Sequence, residues 1–478
     1  MPAITGSEYV SRIDQQKANI WCNGEKIKGK VSEHPAFKGV IQTQSAMYDL
    51  QHDTDLKDMM TYRSPTTGNI VGASYMQPWT KEDLAKRREM IRSWARMSAG
   101  MLGRSPDYLN TILMAFASSA KLLEGKENCF PDHLTAFYEK AKEEDLSFTH
   151  TFINPQVNRS ELYFELSDEP IAAKIIDEND EGIVVKGARL LATQGGITDE
   201  VLVFSPGGIL DKANAFAFSI PSNAKGMKFI CRESFSGGDS RFNYPLSSRF
   251  EEMDTIVVFD NVTVPWERVF FYKNLEVANS FKATSAFLPF TLHQAVCRQT
   301  VKAEFILGVA QALIETINIS EYQNVQENGA EIIAALKTME ALLTKSETDA
   351  QPDEFGLMRP DADSLQAAIC IFPKVYPRLT EIVQLLGSSG LITIPTNKDF
   401  GSEIRGDLDQ YLQSASRNAE DRVKLFRLAW DLTMSPFGTR QTQYERFFFG
   451  NPVRLSSQLY FNYEKDSYVD WVSEFLRE

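Results

Sequence analysis

The chain has 478 residues, enough for two to four domains and a sizeable buried core. Hydrophobic residues make up 43% and charged residues 24%, too apolar a balance for a disordered chain. Fifty Lys and Arg against 64 Asp and Glu give a formal charge of −14, which argues against binding to nucleic-acid backbones or anionic membranes.

The N-terminus, MPAITGSEYVSRIDQQ, has no basic segment followed by an apolar one, and no run of 18 apolar residues follows. Neither a signal peptide nor a membrane span is therefore expected. The five cysteines, Cys22, Cys129, Cys231, Cys297 and Cys370, are scattered. Without a CxxC pair they fit a reducing cytoplasm, the expected location. The five histidines (His34, His52, His133, His150, His293) lack HExxH spacing, so no metal is expected.

Residues 1–145 read mainly as helices. Asn23-Gly24 after Ile20-Trp21-Cys22 predicts a hairpin. Thr80-Lys81-Glu82-Asp83 is a capping-box start. Behind it Leu84, Ile91, Trp94, Ala95, Met101 and Leu102 share a helical face, predicting one helix that ends near Gly103. Ser105-Pro106-Asp107 opens a second, with Ser as N-cap and Pro in the first turn, running to about Gly125. The charge run Lys140 to Asp145 reads as a solvated helix end. Residues 146–275 read as short β-rich strands, with a hairpin loop at Asp177 to Gly182; so many strands suggest an antiparallel barrel or sandwich. Residues 276–478 return to long helices, Phe290–Ile319, Glu331–Ser346, Ser364–Leu386 and Asn418–Met434, long enough for a bundle. Pro373 and Pro377 should kink the third. No GxGxxG follows a strand and no GxxxxGK[ST] occurs, so a Rossmann or P-loop nucleotide site is unsupported.

This α+β order, a helical domain, a β domain and a helical bundle, resembles the acyl-CoA dehydrogenase architecture. Sharper are five segments in order: Gly103-Arg104-Ser105-Pro106-Asp107-Tyr108, Asn154-Pro155-Gln156-Val157-Asn158-Arg159, Tyr244-Pro245-Leu246-Ser247-Ser248-Arg249-Phe250, Asp260-Asn261-Val262-Thr263-Val264-Pro265-Trp266-Glu267 and Phe437-Gly438-Thr439-Arg440. Together they resemble the oxygenase component family of 4-hydroxyphenylacetate 3-hydroxylase, across nearly the whole chain. The resemblance implies a two-component flavin monooxygenase. A separate NAD(P)H:flavin reductase supplies FADH2, which diffuses to the oxygenase. Oxygen forms a C4a-hydroperoxyflavin that attacks a phenol ortho to its hydroxyl, giving a catechol. It also implies a homotetramer assembled through the C-terminal bundle.

The residues themselves suit that chemistry to different degrees. Arg104 and Tyr108 flank a predicted helix N-terminus, where negative charge is favoured and a guanidinium adds a cation. A phenol oxygen held there would be polarised toward phenolate; a surface Arg and a half-buried Tyr are the plainer reading. His150, on a strand in Thr149-His150-Thr151, offers an imidazole able to share the phenol proton, or is a core histidine. In the resembled family the matching Arg, Tyr and His contact the phenol. Gln156, Val157, Asn158 and Arg159 match a segment that contacts FAD there, and His150 adjoins it. Thr193 matches a residue beside the flavin ring, and Ser205 a loop that covers the substrate. Gly438, Thr439, Arg440 and Gln441, read as a helix start, suit a pyrophosphate, or form a plain helix–helix turn.

Three other readings stay open. An acyl-CoA dehydrogenase fits the architecture. A 4-hydroxybutyryl-CoA dehydratase shares the fold but needs cluster-binding cysteines before Arg104, where Ser98 to Gly103 has none, leaving His293 and Cys297 alone. A non-catalytic assembly protein would require the Arg104–Tyr108–His150 set to be broken.

Overall fold

The computed structural model describes residues 3–156, 169–205 and 207–477. The α-helices before the main β-region are α1 (Gly6–Gln16), α2 (Lys38–Asp49), α3 (Lys57–Met60), α4 (Lys81–Met97), α5 (Pro106–Ser118) and α6 (Pro131–Glu144). α4 starts as its sequence predicts: the Thr80 hydroxyl accepts from the Asp83 N–H while the Asp83 carboxylate accepts from the Thr80 N–H. It stops at Met97, short of Gly103, because Ala99 and Gly100 turn to φ 51° and 70°. A Cβ on Gly100 would lie 2.7 Å from the Lys302 side chain, so the chain leaves the helix where it meets the bundle. Met101 and Leu102 are buried just beyond it.

α5 is buried from Pro106 through Ala117, a core helix rather than an amphipathic one. Ser105 stands at its N-cap but makes no capping bond through its side chain, and the helix ends at Ser118 rather than Gly125. The charge run closing α6 is only partly solvated, with Lys140 and Glu144 exposed. Lys142 and Asp145 are each 1% exposed. Asp145 adopts φ 46°, and its Oδ2 accepts from the Ile4 N–H at 3.1 Å and from Gln51 Nε2 at 2.8 Å. Burial pushes this carboxyl up to about 6, opposed in part by the Gln51 and Ile4 hydrogen bonds.

The strands before the C-terminal helices are β1 (Ile20–Cys22), β2 (Glu25–Lys26), β3 (Thr61–Arg63), β4 (Ile70–Gly72), β5 (Phe148–Thr151), β6 (Lys174–Asn179), β7 (Gly182–Thr193), β8 (Glu200–Val203), β9 (Phe216–Pro221), β10 (Met227–Cys231), β11 (Asp254–Pro265) and β12 (Val269–Tyr272). A six-stranded sheet runs β2-β1-β10-β11-β7-β6 and a four-stranded sheet β12-β9-β8-β5. β6 and β7 join at Asp180-Glu181, and β1 and β2 at Asn23-Gly24, both where turn residues predicted hairpins. The sheets are not wholly antiparallel: β1 pairs parallel with β10, and β5 with β8. The N-terminal hairpin thus extends a sheet otherwise built some 200 residues later, a long-range pairing that local strand patterns do not encode. Phe218 of one sheet meets Phe259 of the other edge-on, ring centroids 6.3 Å apart, in a sandwich core. At one corner the sheets join: the Thr149 hydroxyl donates to the Thr193 carbonyl at 2.7 Å, bringing His150 on β5 near the end of β7.

After α7 (Ser247–Phe250), the chain forms α8 (Leu275–Thr284), α9 (Phe287–Ile317), α10 (Gln323–Thr348), α11 (Ala362–Gly387), α12 (Asn397–Phe400), α13 (Arg405–Tyr411), α14 (Ala419–Thr433), α15 (Pro436–Phe447), α16 (Pro452–Asn462) and α17 (Asp466–Phe475). α11 runs as one helix through Pro373 and Pro377. α16 and α17 bury no residue and leave Phe461, Trp471, Phe475 and Leu476 each at least 69% exposed.

Candidate active site

The site begins at the loop before α5. The buried Glu252 carboxylate accepts the Gly103 N–H at 2.8 Å, the Arg104 N–H at 2.7 Å and the Gln194 amide at 3.0 Å. Glutamines 44 and 194 both donate to the Arg104 carbonyl. The backbone of Arg104 is thereby fixed, and its guanidinium projects from the start of α5. One of its nitrogens donates to the Gly103 carbonyl at 3.0 Å and to the Tyr444 hydroxyl at 2.9 Å. Its guanidinium carbon lies over the adjoining rings of Tyr108 and Phe448, 4.7 and 4.9 Å from centroids that are themselves 5.3 Å apart. Arg104 pairs with no carboxylate among the described residues, and its buried Nε has no partner there. A buried cation at a helix N-terminus, paired with no carboxylate, is a receptor for an anion.

Tyr108 and His150 complete this corner, ring centroids 6.1 Å apart. His150 stacks on Phe152 at 5.3 Å and on Phe204 at 5.8 Å, so one wall of the site is aromatic and dry. Burial, then the charges of Arg104 and Lys282, hold its pKa well below the ordinary range, so the ring is neutral at neutral pH. Its buried Nδ1 finds no partner among the described residues. Burial raises the Tyr108 hydroxyl, with Arg104 and Arg298 pulling the other way, so it remains a proton donor. Behind Tyr444, Arg298 and Lys302 share the buried Glu445 carboxylate at 2.6 and 2.8 Å.

A second region is an open groove of about 1370 Å³ between the six-stranded sheet and helices α11, α14 and α15. Leu191, Ile230 and Ile256 give it an exposed apolar floor. Arg232, Arg440 and Arg446 stand on its walls with Gln156 and Thr439. The Arg440 guanidinium binds Asp254 through two bonds of 2.7 and 3.0 Å, and Arg232 reaches the same carboxylate at 3.0 Å. The Thr193 hydroxyl donates to Asp254 Oδ1 at 2.9 Å. Arg446 pairs with no carboxylate among the described residues. Tyr444 joins the two regions, because Arg104 and Arg440 both lie over its ring, 5.9 and 5.0 Å from the centroid.

The structure therefore gathers Arg104, Tyr108 and His150 at one corner, and Gln156, Thr439, Arg440 and the Asp254 partner of Thr193 at the groove. Two expected cofactor residues are turned away from it. Gln441 is fully buried, accepting from Lys302 Nζ at 2.7 Å and donating to the Met101 carbonyl at 3.1 Å. Gly438 lies inside the first turn of α15, not before it, and a Cβ there would sit 2.6 Å from the Leu432 carbonyl; its close approach is to α14. Ser205 is buried with its hydroxyl on the Phe216 carbonyl at 3.2 Å, beside a narrow cleft lined by Phe204, Phe281 and Lys282. Val157, Asn158 and Arg159 lie outside the described residues. Sequence reasoning gave no site role to Tyr444, Phe448, Arg446, Arg232, Glu252 or Asp254. Tyr444 and Phe448 do share a helical face, a visible signal; Glu252 and Asp254 carry no local one.

Two family models match the chain, the N-terminal region of 4-hydroxyphenylacetate 3-hydroxylase over residues 5–271 and its C-terminal region over residues 278–477. The chain belongs to the 4-hydroxyphenylacetate 3-hydroxylase family. It is 60% identical over 100% of its length, and 99% of the relative's, to a probable 4-hydroxyphenylacetate 3-monooxygenase of Bacillus subtilis. It is 48% identical to the 4-hydroxyphenylacetate 3-monooxygenase oxygenase component of a Geobacillus species, covering 100% of this chain and 97% of that one. A crystal structure of the oxygenase component of 4-hydroxyphenylacetate 3-monooxygenase, complexed with FAD and 4-hydroxyphenylacetate, superposes with a TM-score of 0.94 at 42% identity, covering 99% of this chain and 98% of that one. More distant likeness in fold alone reaches an archaeal 4-hydroxybutyryl-CoA dehydratase (18% identical, TM-score 0.88) and an acyl-CoA dehydrogenase (11%, 0.53). The fold is thus the acyl-CoA dehydrogenase type in the form adopted by the 4-hydroxyphenylacetate 3-hydroxylase family. In this member His293 donates to or accepts from Glu347 at 2.8 Å, and among the described residues no cluster of His, Cys, Asp and Glu could hold a metal.

Proposed function

We propose that this chain is the oxygenase component of a two-component monooxygenase that hydroxylates 4-hydroxyphenylacetate ortho to its phenol, giving a catechol. The observation that carries the reading is the uncompensated Arg104 guanidinium, fixed at the start of α5 beside Tyr108 and a neutral His150. A phenol oxygen set there would meet the unpartnered Arg104 Nε and the Tyr108 hydroxyl, and His150 would take or share its proton at a ring nitrogen. Stabilising the phenolate raises electron density at the ortho carbon, the position that must attack an electrophilic oxygen. Phe152, Phe204 and Phe448 keep water from that corner.

FAD fits the groove: an apolar floor suits flat rings, and Thr439 near the start of α15 and Arg446 in its last turn suit a pyrophosphate. Reduced FAD, once bound, activates dioxygen and supplies the oxygen atom to the ring. A separate NAD(P)H-dependent reductase would provide it, in keeping with the oxygenase-component name of the relatives. We read the chain as three domains, 1–145, 146–275 and 276–478, and as a cytoplasmic homotetramer. The exposed apolar faces of α16 and α17 support association, and no described helix is long and apolar enough to cross a membrane.

The test is to supply enzymatically generated FADH2 and oxygen with a panel of phenols. Catechol from 4-hydroxyphenylacetate is expected, with no NADH oxidation when the reductase is omitted. Absence of catechol from every phenol would end the reading.

A further inference from the structure

Behind Tyr444 lies a group of charged side chains that meets neither the phenol corner nor the groove directly. Arg298 and Lys302 of α9 and Glu445 of α15 are all fully buried. Glu445 Oε1 accepts from Arg298 at 2.6 Å and from Lys302 Nζ at 2.8 Å; Oε2 accepts from the second Arg298 nitrogen and from the Gln299 amide, each at 3.1 Å. Arg298 and Gln299 alone would satisfy this carboxylate. Lys302 adds a second cation, and two positive charges on one negative leave one in surplus. A buried charge without a counter-ion is costly, and packing alone gives no reason to keep it.

The surplus is directed at the phenol corner. Arg298 donates to the Gly100 carbonyl at 2.9 Å, on the loop that leads to Arg104. Its guanidinium carbon lies 5.6 Å from the ring centroids of both Tyr444 and Phe448. Arg104 lies over the same two rings, at 5.9 and 4.9 Å. Two guanidiniums gathered on one pair of rings repel each other until an anion joins them. The Arg298 charge already reaches the hydroxyls there: burial raises those of Tyr108 and Tyr444, and Arg104 and then Arg298 pull them back. Glu445 balanced by Arg298 alone would cancel that pull.

We infer that Lys302 is a positioning residue for the phenol: by neutralising Glu445 it leaves the Arg298 charge to act, across Tyr444, on an anionic oxygen at Arg104. This rests on the proposed placement of the phenol oxygen at that corner. Lys302 is also the member of the group that can lose its charge. Glu445, Gln441 and Arg440 of α15, Arg298 of its own helix and Tyr376 of α11 surround it, the Tyr376 ring centroid 4.6 Å from its Nζ. Against burial, Arg298 and then Lys302 hold the Glu445 carboxyl down at about 2; burial pushes the Tyr376 hydroxyl far up, and the guanidiniums do not titrate. Burial pulls the Lys302 ammonium down to about 8, opposed by Glu445. The surplus charge is therefore present below about pH 8 and lost above it.

The probe is pentafluorophenol, a phenol so acidic that it is ionised throughout the range and its own titration does not enter. Its dissociation constant is measured by calorimetry from about pH 6.5 to about pH 9.5 on the full-length protein, as wild type, Lys302→Met, Lys302→Arg and Arg104→Met. Wild type should bind the anion roughly 5–15-fold more weakly at the upper end than at the lower, the scale of one unit charge acting across an aromatic ring inside a protein. Lys302→Met should bind weakly and Lys302→Arg tightly over the whole range, both without the inflection near pH 8. A Met variant that binds as tightly as wild type at neutral pH overturns the inference and leaves the proposed function standing. If the Lys302 variants do not fold, a flat wild-type profile overturns it instead. Binding that survives in Arg104→Met, or no binding at any pH, overturns the reading on which it rests.

Discussion

Arg104 is held by contacts that a lysine cannot reproduce. Its planar group lies over the adjoining rings of Tyr108 and Phe448 while one nitrogen reaches Tyr444. Arg104→Lys keeps the charge and should still depress catechol formation roughly 10–150-fold, the scale of one charge-assisted hydrogen bond lost in the transition state. FAD affinity, measured separately, should be unchanged. Tyr444→Phe should act more mildly, about 2–12-fold, by releasing the guanidinium, with the loss concentrated in the Michaelis constant for the phenol. Arg104, Tyr108 and His150 were legible because a helix-start pattern and a family segment lie within a few residues of them. Tyr444 was not, since it lies 340 residues from the group it holds. For the same reason the setting of Gln441 was hidden: nothing in Gly-Thr-Arg-Gln reveals that Lys302 waits on the inner side of the helix.

Among the elements, α6 shows how a charge pattern misleads. Lys140 to Asp145 looks like a solvated end, yet its last carboxylate anchors the N-terminal segment through Ile4 and Gln51. The folded-state pKa of Asp145, about 6, exceeds its ordinary 3.8, so the native state binds this proton more tightly than the unfolded chain does. The contribution is fully present below about pH 4 and is lost as pH rises through 6, on the order of 3 kcal/mol if the whole shift is realised. Asp145→Asn keeps an oxygen for both donors and removes the titration. Chemical denaturation at pH 4.5 and pH 7.5 should show wild type losing stability relative to the Asn variant across that interval; parallel curves would refute the assignment. α4, by contrast, was readable at its start, because a capping box is made within four residues. Its end was not, because the turn at Ala99 and Gly100 is imposed by α9.

For the molecule as a whole, the order helical, β, helical was plain from periodicity, while the way the sheets close was hidden. β1 crosses into the β-region to pair with β10, and no window of sequence contains both strands. The same holds for association. α16 and α17 have regular amphipathic patterns but bury nothing within the chain. Removing residues 451–478 should leave secondary structure and the thermal transition nearly intact while lowering the assembly state seen by sedimentation. An unchanged sedimentation coefficient per subunit mass would place the subunit contacts elsewhere.

The clearance at Gly103 sets a mechanical limit on the phenol corner. A methyl group there would have to occupy the position of the Tyr444 hydroxyl, 2.0 Å away, and there is no slack, because Glu252 pins the loop from behind. The loop and the tyrosine are therefore geared together, and the smallest possible side chain would work as a wedge. Gly103→Ala alters no group that meets the substrate, yet it should swing Tyr444 outward and carry the grip on Arg104 with it. The tolerance of the whole site is thus fixed by a residue that has no side chain.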